Sequence, residues 1–235
     1  MSLLEIKQLT VSYPGNPVFE DLDLTVERGE IVAVVGTSGG GKSTLLRAIM
    51  GLLPGDGTIQ NGSICYDGVE LTRLPEKEYR KLRGSRIGMI FQDAGASLCP
   101  VQTIGVQLYE SVRAHGKCTK REVRKKALEK MEALQLSDGE RILKSYPFEL
   151  SGGMNQRIGV LLAAYLKPEL LLADEPTSAL DEKSKELVLQ ELFALREQSN
   201  TAVILVTHDL AFAARAADRI CEICDGQLSA WTNEA

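Results

Sequence analysis

Leu150-Ser151-Gly152-Gly153-Met154-Asn155-Gln156-Arg157 stands between GTSGGGKST at Gly36 to Thr44 and LLLADEP at Leu170 to Pro176. On its amino-terminal side, Gly36-x-x-x-x-Gly41-Lys42-Ser43 has the spacing of a phosphate loop, set between an apolar run ending in Val34 and Val35 and an apolar helix face of Leu45, Leu46 and Ile49. Gly36, Gly39, Gly40 and Gly41 let backbone N–H groups turn inward around phosphate oxygens, with Thr37, Ser38 and Thr44 completing the loop. Lys42 is expected to reach the terminal phosphates, and the Ser43 hydroxyl to ligate Mg²⁺. On the other side, Asp174 and Glu175 end an apolar run. After a phosphate loop, that placement predicts Asp174 on Mg²⁺ through water and Glu175 as the base for an attacking water.

The octapeptide itself reads as a second anion site. Ser151, Gly152 and Gly153 offer a hydroxyl and unobstructed amides at the start of a helix that carries Arg157, Ile158, Val160 and Leu161, and a helix start is positive. The chain has only one nucleotide loop. A second phosphate-binding helix end then makes sense if it serves the nucleotide held by another subunit.

Four apolar runs, Ile31 to Val35, Ile87 to Phe91, Leu170 to Ala173 and Ala202 to Val206, are continuous rather than alternating, as in strands buried on both faces of a parallel sheet. They lead into the glycine loop, Gln92, Asp174-Glu175 and Thr207-His208 respectively. Ligands of open parallel sheets bind beyond the carboxyl ends of the strands, so the four sets are expected around one site. Ile6, Leu9, Val11, Tyr13 and then Val18 to Val26 read as short antiparallel strands. From about Ala94 to Lys167 the pattern is helical, with a capping box of Thr119 and Glu122 and buried positions at Val123, Ala127, Met131 and Leu134.

The order of GTSGGGKST, Gln92, LSGGMNQR, LLLADEP, SALD and VTHD resembles the nucleotide-binding subunit of an ABC transporter over nearly the whole chain. The resemblance implies an α/β P-loop NTPase fold with a RecA-like, mostly parallel core, an antiparallel N-terminal β-subdomain and an inserted helical subdomain. One domain, 1–235, is expected, with 1–93 and 168–235 as core and 94–167 as the helical part. It further implies ATP and Mg²⁺ as ligands and a second ATPase subunit, identical or related, packed head to tail. Ser151, Gly152 and Gly153 of one subunit would then meet the γ-phosphate held by the other. By the same resemblance Gln92 senses Mg²⁺ and couples the site to two integral membrane permeases, Asp181 crosses the dimer interface, His208 contacts the γ-phosphate and Tyr13 stacks on adenine. Gln156 is counted with the nucleotide contacts of the octapeptide.

The stretch from Ser63 through Leu108 resembles the ATPases of oligopeptide, dipeptide and nickel importers, which implies an extracytoplasmic solute-binding protein as a further partner. Ala94-Gly95-Ala96-Ser97-Leu98-Cys99-Pro100 keeps only part of the usual Pro-Met-x-Ser-Leu-Asn-Pro, and the family's His-Pro-Tyr-Thr segment is not in the sequence. A soluble ABC ATPase acting on nucleic acid or ribosomes is the alternative; its usual coiled-coil inserts or paired cassettes are not found here. A small-molecule kinase on the same loop would have no use for the octapeptide.

Composition agrees with a globular ATPase. The 235 residues are 44% hydrophobic and 25% charged, enough for a substantial core and without a bias toward disorder. A net charge of -5 argues against a polyanion partner, and nucleic acid is not expected. The basic runs Arg80 to Arg86 and Lys117 to Lys126 are interleaved with glutamates and read as solvated helix faces. No run approaches the roughly 20 apolar residues of a membrane span, so a cytoplasmic protein, peripheral on the inner face of the membrane, is expected. Five scattered cysteines fit a reducing compartment. Cys221 and Cys224, three apart on an expected strand, point to opposite faces and cannot share a metal.

Overall fold

The computed structural model describes residues 2–14, 16–37 and 39–230. Two long strands, β1 (Ser2–Tyr13) and β2 (Asn16–Glu27), open the chain as an antiparallel pair. After β3 (Ile31–Gly36) come β4 (Thr58–Tyr66) and β5 (Val69–Glu70), which extend this antiparallel sheet in the order β2-β1-β4-β5. The β4–β5 hairpin turns at Asp67-Gly68, where both residues take positive φ. Asp-Gly is a residue pair that tolerates this conformation.

The remaining strands β6 (Ile87–Ile90), β7 (Leu170–Asp174), β8 (Ala202–Val206), β9 (Arg219–Cys224) and β10 (Gln227–Ala230) join β3 in a second sheet of order β10-β9-β3-β8-β7-β6. Within it β6, β7, β3, β8 and β9 run parallel, and β10 returns antiparallel to β9. Each of the four expected runs forms a strand of this sheet, β6 at its edge and without Phe91, and these strands are buried at every residue but the last of β3. Their side chains alternate between two cores. Leu170, Leu172, Ala202, Ile204 and Val206 pack on the side of the antiparallel sheet, while Leu171, Ala173, Val203 and Leu205 pack on the opposite side. Two-sided burial is why these runs show no polar alternation.

Helix α1 (Lys42–Met50) follows β3 and lies in the first core with the antiparallel sheet; α2 (Glu76–Leu82) flanks it through Tyr79. Between β6 and β7 come α3 (Ala94–Ser97), α4 (Ile104–Arg113), α5 (Lys120–Ala133), α6 (Gly139–Lys144) and α7 (Gly152–Ala164). The expected capping box is formed at α5, and Val123, Ala127, Met131 and Leu134 are buried. Helices α8 (Glu182–Ser199) and α9 (Leu210–Ala216) complete the second core, which runs without a break from the sheet into α4–α7. No helix among the described residues is long and apolar enough to cross a membrane.

Cys221 is buried and Cys224 exposed, as their spacing on β9 requires, and no disulfide forms among the described residues. The basic run before β6 is largely consumed by ion pairs: Arg80 and Arg83 meet Glu76, and Arg86 meets Asp67 and Glu169.

Candidate active site

The strand register assembles the site. Val34 of β3 pairs with Val206 of β8, Val206 with Asp174 of β7, and Ile90 of β6 with Ala173. Chains leaving these strands in the same direction therefore place Gly36, His208, Glu175 and Gln92 along one sheet edge, each one or two residues beyond the paired row.

Gly36 (φ 142°), Gly39 (φ 84°) and Gly41 (φ 93°) all occupy the left-handed half of the backbone map. At Gly36 the requirement is doubled: a Cβ would lie 2.3 Å from the Ile223 carbonyl of β9. At Gly39 a Cβ would meet nothing within 4 Å, so the space beside it is open, as a cradle for a ligand needs. Lys42, buried to 7% exposure, donates from Nζ to the carbonyls of Gly36 (2.8 Å) and Thr37 (2.7 Å). Its ammonium is thereby held at the mouth of the loop, and among the described residues no carboxylate forms an ion pair with it. Ser38 lies outside the described residues.

Ser43 Oγ donates to Asp174 Oδ1 at 2.8 Å, joining the first turn of α1 to the end of β7. Burial raises the Asp174 pKa, a neighbouring Glu175 adds to that, and the Ser43 hydrogen bond and Arg47 oppose it. A buried carboxylate and a hydroxyl, both oxygen ligands, fit a hard divalent cation such as Mg²⁺. Glu175 follows in a left-handed conformation (φ 46°), its N–H bonded to the Val206 carbonyl at 2.9 Å. A non-glycine residue in this region is strained, and such strain is concentrated at functional positions. Both oxygens of its carboxylate lie 2.9 Å from His208 Nδ1, with hydrogen-bond geometry at Oε1. Gln92 is exposed at the end of β6, beside a groove of about 460 Å³ whose lining includes Met89, Phe91, Leu98, Gln107 and Gly159.

The octapeptide starts α7. Ser151 is its N-cap, with Oγ accepting from Met154 N–H, and Gly152 and Gly153 occupy the first turn. A Cβ on Gly152 would meet nothing within 4 Å; one on Gly153 would approach only Leu180 and Ala179, both in the turn before Asp181. Ser151 and Gly152 are exposed, and among the described residues no hydrogen bond or ion pair links 151–153 to the phosphate loop. Arg157 points the other way, donating to the carbonyls of Leu134 and Gln135 where α5 ends.

Residues 19–178 match the model of the ABC transporter family. The chain belongs to that family. It is 38% identical over 230 residues to the metal-staphylopine import system ATP-binding protein CntD of Staphylococcus aureus, covering 97% of this chain and 84% of that protein. It is 42% identical over 232 residues to the oligopeptide transport ATP-binding protein AppD of Bacillus subtilis, covering 97% and 71%. Among solved structures, a dimeric post-hydrolysis state of the ATP-binding cassette MJ0796 bound to ADP and Pi superposes with a TM-score of 0.86 at 30% identity, covering 98% of this chain and 99% of that one. The chain is thus an ATP-binding and ATP-hydrolysing ABC subunit.

Within this ABC fold the expected residues fall into three groups. The loop 36–44 (Ser38 aside), Asp174, Glu175, His208 and Gln92 gather at one edge; Ser151, Gly152 and Asp181, exposed, and Gly153, partly so, form a separate set; Gln156 and Tyr13 lie apart from both. Asp181 caps α8 by accepting from Ser184 N–H at 2.7 Å. Gln156, expected among the nucleotide contacts, is 2% exposed, donates to the carbonyls of Phe91 and Pro176 and accepts weakly from Ala94 N–H, so it ties the Gln92 segment to the strand end after Glu175. Tyr13 is half-buried against Gly57, where a Cβ would meet its ring at 2.7 Å. It is not among the residues of the cleft of about 470 Å³ beside the phosphate loop, which Val18, Phe19 and Glu20 line together with Asp225, Gly226 and Gln227. These lining residues carry no chemical signature in sequence; only the contact of Val18 and Phe19 under Gly41 shows their role.

Proposed function

We propose that two copies of this cassette, or this chain and a related one, close head to tail around two ATP molecules and drive import of a short peptide or a metal-chelating small solute. The separation of the sites carries the reading: one chain holds a complete phosphate loop and an exposed, unused anion-binding helix end. In the proposed dimer 36–44 grips the phosphates, with Lys42 contributing charge and the loop amides donating hydrogen bonds. Ser43, Asp174 and Gln92 would hold Mg²⁺, which would supply charge neutralisation at the phosphates. Glu175 accepts the proton of the attacking water. His208, fixed on Glu175, faces the γ-phosphate, and Ser151–Gly153 of the other subunit closes over it.

Permeases are expected in the groove beside Gln92, where Phe91 (39% exposed) leaves apolar surface, with Val101 (79% exposed) next in sequence to the lining residue Gln102. Docking there would place the chain on the inner face of the membrane, and the importer relatives support a solute-binding protein on the outer side.

Complementation between variants tests the composite site. Lys42→Ala damages the loop, and Gly153→Asp sets a negative charge at the helix start; that charge favours the helix dipole but repels phosphate. Each variant alone is expected to lose at least about 99% of hydrolysis, while a mixture regains activity because mixed dimers hold one intact site. Absence of recovery, with both variants folded and the unaltered chain active, rules out the head-to-tail site.

A further inference from the structure

Helices α8 and α9 begin side by side, and each begins at an aspartate with a second duty. Asp181 caps α8 and sits next to the Ser151–Gly153 helix end, since Gly153 faces Leu180. Asp209 caps α9 by accepting Phe212 N–H on Oδ1 (2.9 Å), and its backbone immediately follows His208. Its other oxygen, Oδ2, accepts from Lys185 Nζ at 2.8 Å. Lys185 is one turn into α8, with its own N–H on the Asp181 carbonyl at 2.9 Å. The connection runs from Asp181 through Lys185 and Asp209 to His208, which lies 2.9 Å from Glu175.

The other charges around this pair do not replace it. Glu182 also lies 2.8 Å from Lys185 Nζ but is 83% exposed, against 27% for Asp209, so solvent screens it more strongly. Arg215 of α9 pairs with Glu186 farther along the same helices. Hydrogen bonding to each other is the main cause of the lowered pKa of Asp209 and the raised pKa of Lys185. Both stay charged through the physiological range.

We infer that Lys185 is a positioning residue for hydrolysis: it ties the turn that meets the second subunit to the segment that holds His208 against Glu175, so that dimer closure sets the His208–Glu175 pair. The inference rests on the head-to-tail reading above. A displacement at Asp181 reaches His208 through one helical turn and one charge-assisted hydrogen bond, both stiff on this scale. Binding of ATP to the loop does not use the link, so it acts on turnover and not on affinity.

The measurement is steady-state hydrolysis by the purified full chain, with thermal unfolding of every variant. Lys185→Met keeps the aliphatic stem and is expected to lower kcat by about 10- to 100-fold, the scale for a catalytic group displaced by up to an ångström, with KM for ATP within about twofold. Lys185→Arg restores most of the loss. Asp209→Asn retains a capping side chain but not the charge; it should match Lys185→Met, and the double variant should be no worse than either. If Lys185→Met does not fold, Lys185→Gln and Asp209→Asn carry the same comparison. An unchanged kcat, additive losses, failure of Arg to rescue, or a rise in KM in place of a fall in kcat each overturns the inference. Hydrolysis that is linear in protein concentration overturns the head-to-tail reading instead, and the inference with it.

Discussion

The two ends of the parallel sheet treat charge in opposite ways. At the amino-terminal edge Arg28, Asp67, Arg86 and Glu169 form a closed quartet: Arg28 bonds Asp67 (2.6 Å) and Glu169 (2.8 Å), and Arg86 bonds Asp67 (2.6 Å) and Glu169 (2.7 Å). Every carboxylate has two guanidinium partners, and Arg86 also covers the ring of fully buried Tyr66. At the carboxyl-terminal edge Lys42 has only carbonyls among the described residues, Glu175 has a single imidazole, His208, against both of its oxygens, and burial raises the Asp174 pKa. Hydrogen bonds from Arg86 instead hold the Asp67 and Glu169 carboxyls below their ordinary range. One edge has finished its electrostatics within the chain, whereas the other leaves Lys42 on backbone carbonyls alone among the described residues. Incomplete pairing in a structured setting marks the functional end.

Substitutions can break this contrast at either end. The largest effect is expected from Glu175→Gln, which removes the base but keeps the side-chain shape: hydrolysis should fall by about 10²–10⁴. ATP-bound dimers should accumulate, visible by size-exclusion chromatography; near-normal turnover would remove Glu175 from its assigned role. At the opposite edge, Arg86→Gln should lower stability by about 1–2 kcal/mol, a value discounted because the quartet is a third exposed, and leave kcat unchanged.

The Arg86→Gln defect should also depend on pH. Asp67 and Glu169 have depressed folded-state pKa values, so their contribution is complete above the ordinary carboxylate values near ~4 and is lost as pH falls through the folded ones. The gap in Tm between the unaltered chain and the variant is therefore expected in full at neutral pH and smaller in acid, as thermal scans would show. A smaller effect of opposite sign is expected from Asp174→Asn. Because its folded-state pKa is raised, the charged form of Asp174 costs the nucleotide-free fold stability above the ordinary value. The neutral amide, which still accepts from Ser43, should raise Tm by about 2–4 °C, or ~1 kcal/mol for a domain of this size, and abolish turnover. A lower Tm would show that the Asp174 charge supports the fold.

Much of this organisation is legible along the chain because it is local. The phosphate loop needs glycines at fixed spacing between strand and helix, and the two-sided strands declare themselves as unbroken apolar runs. The cap at Thr119 needs only Glu122 three residues on. The β4–β5 hairpin carries its own signal at Asp67-Gly68. What sequence spacing does not show is direction within a helix: Gln156 shares the octapeptide with Ser151 and Gly153, yet it lies a turn deeper and is buried, donating to two carbonyls.

By itself the sequence determined the family, the four buried runs that end in polar residues, and the identity of the phosphate loop, the acidic strand end and the helix start. Each follows from residue types within a few positions of one another. Only the tertiary structure decided which polar groups are satisfied within the chain: Arg28 and Glu169 are 141 positions apart, His208 and Glu175 33, and Ser43 and Asp174 131. Such pairings depend on strand register and helix packing, where one residue of shift turns a side chain to the other face. The same packing leaves Ser151–Gly153 exposed and without a phosphate loop to meet in its own chain.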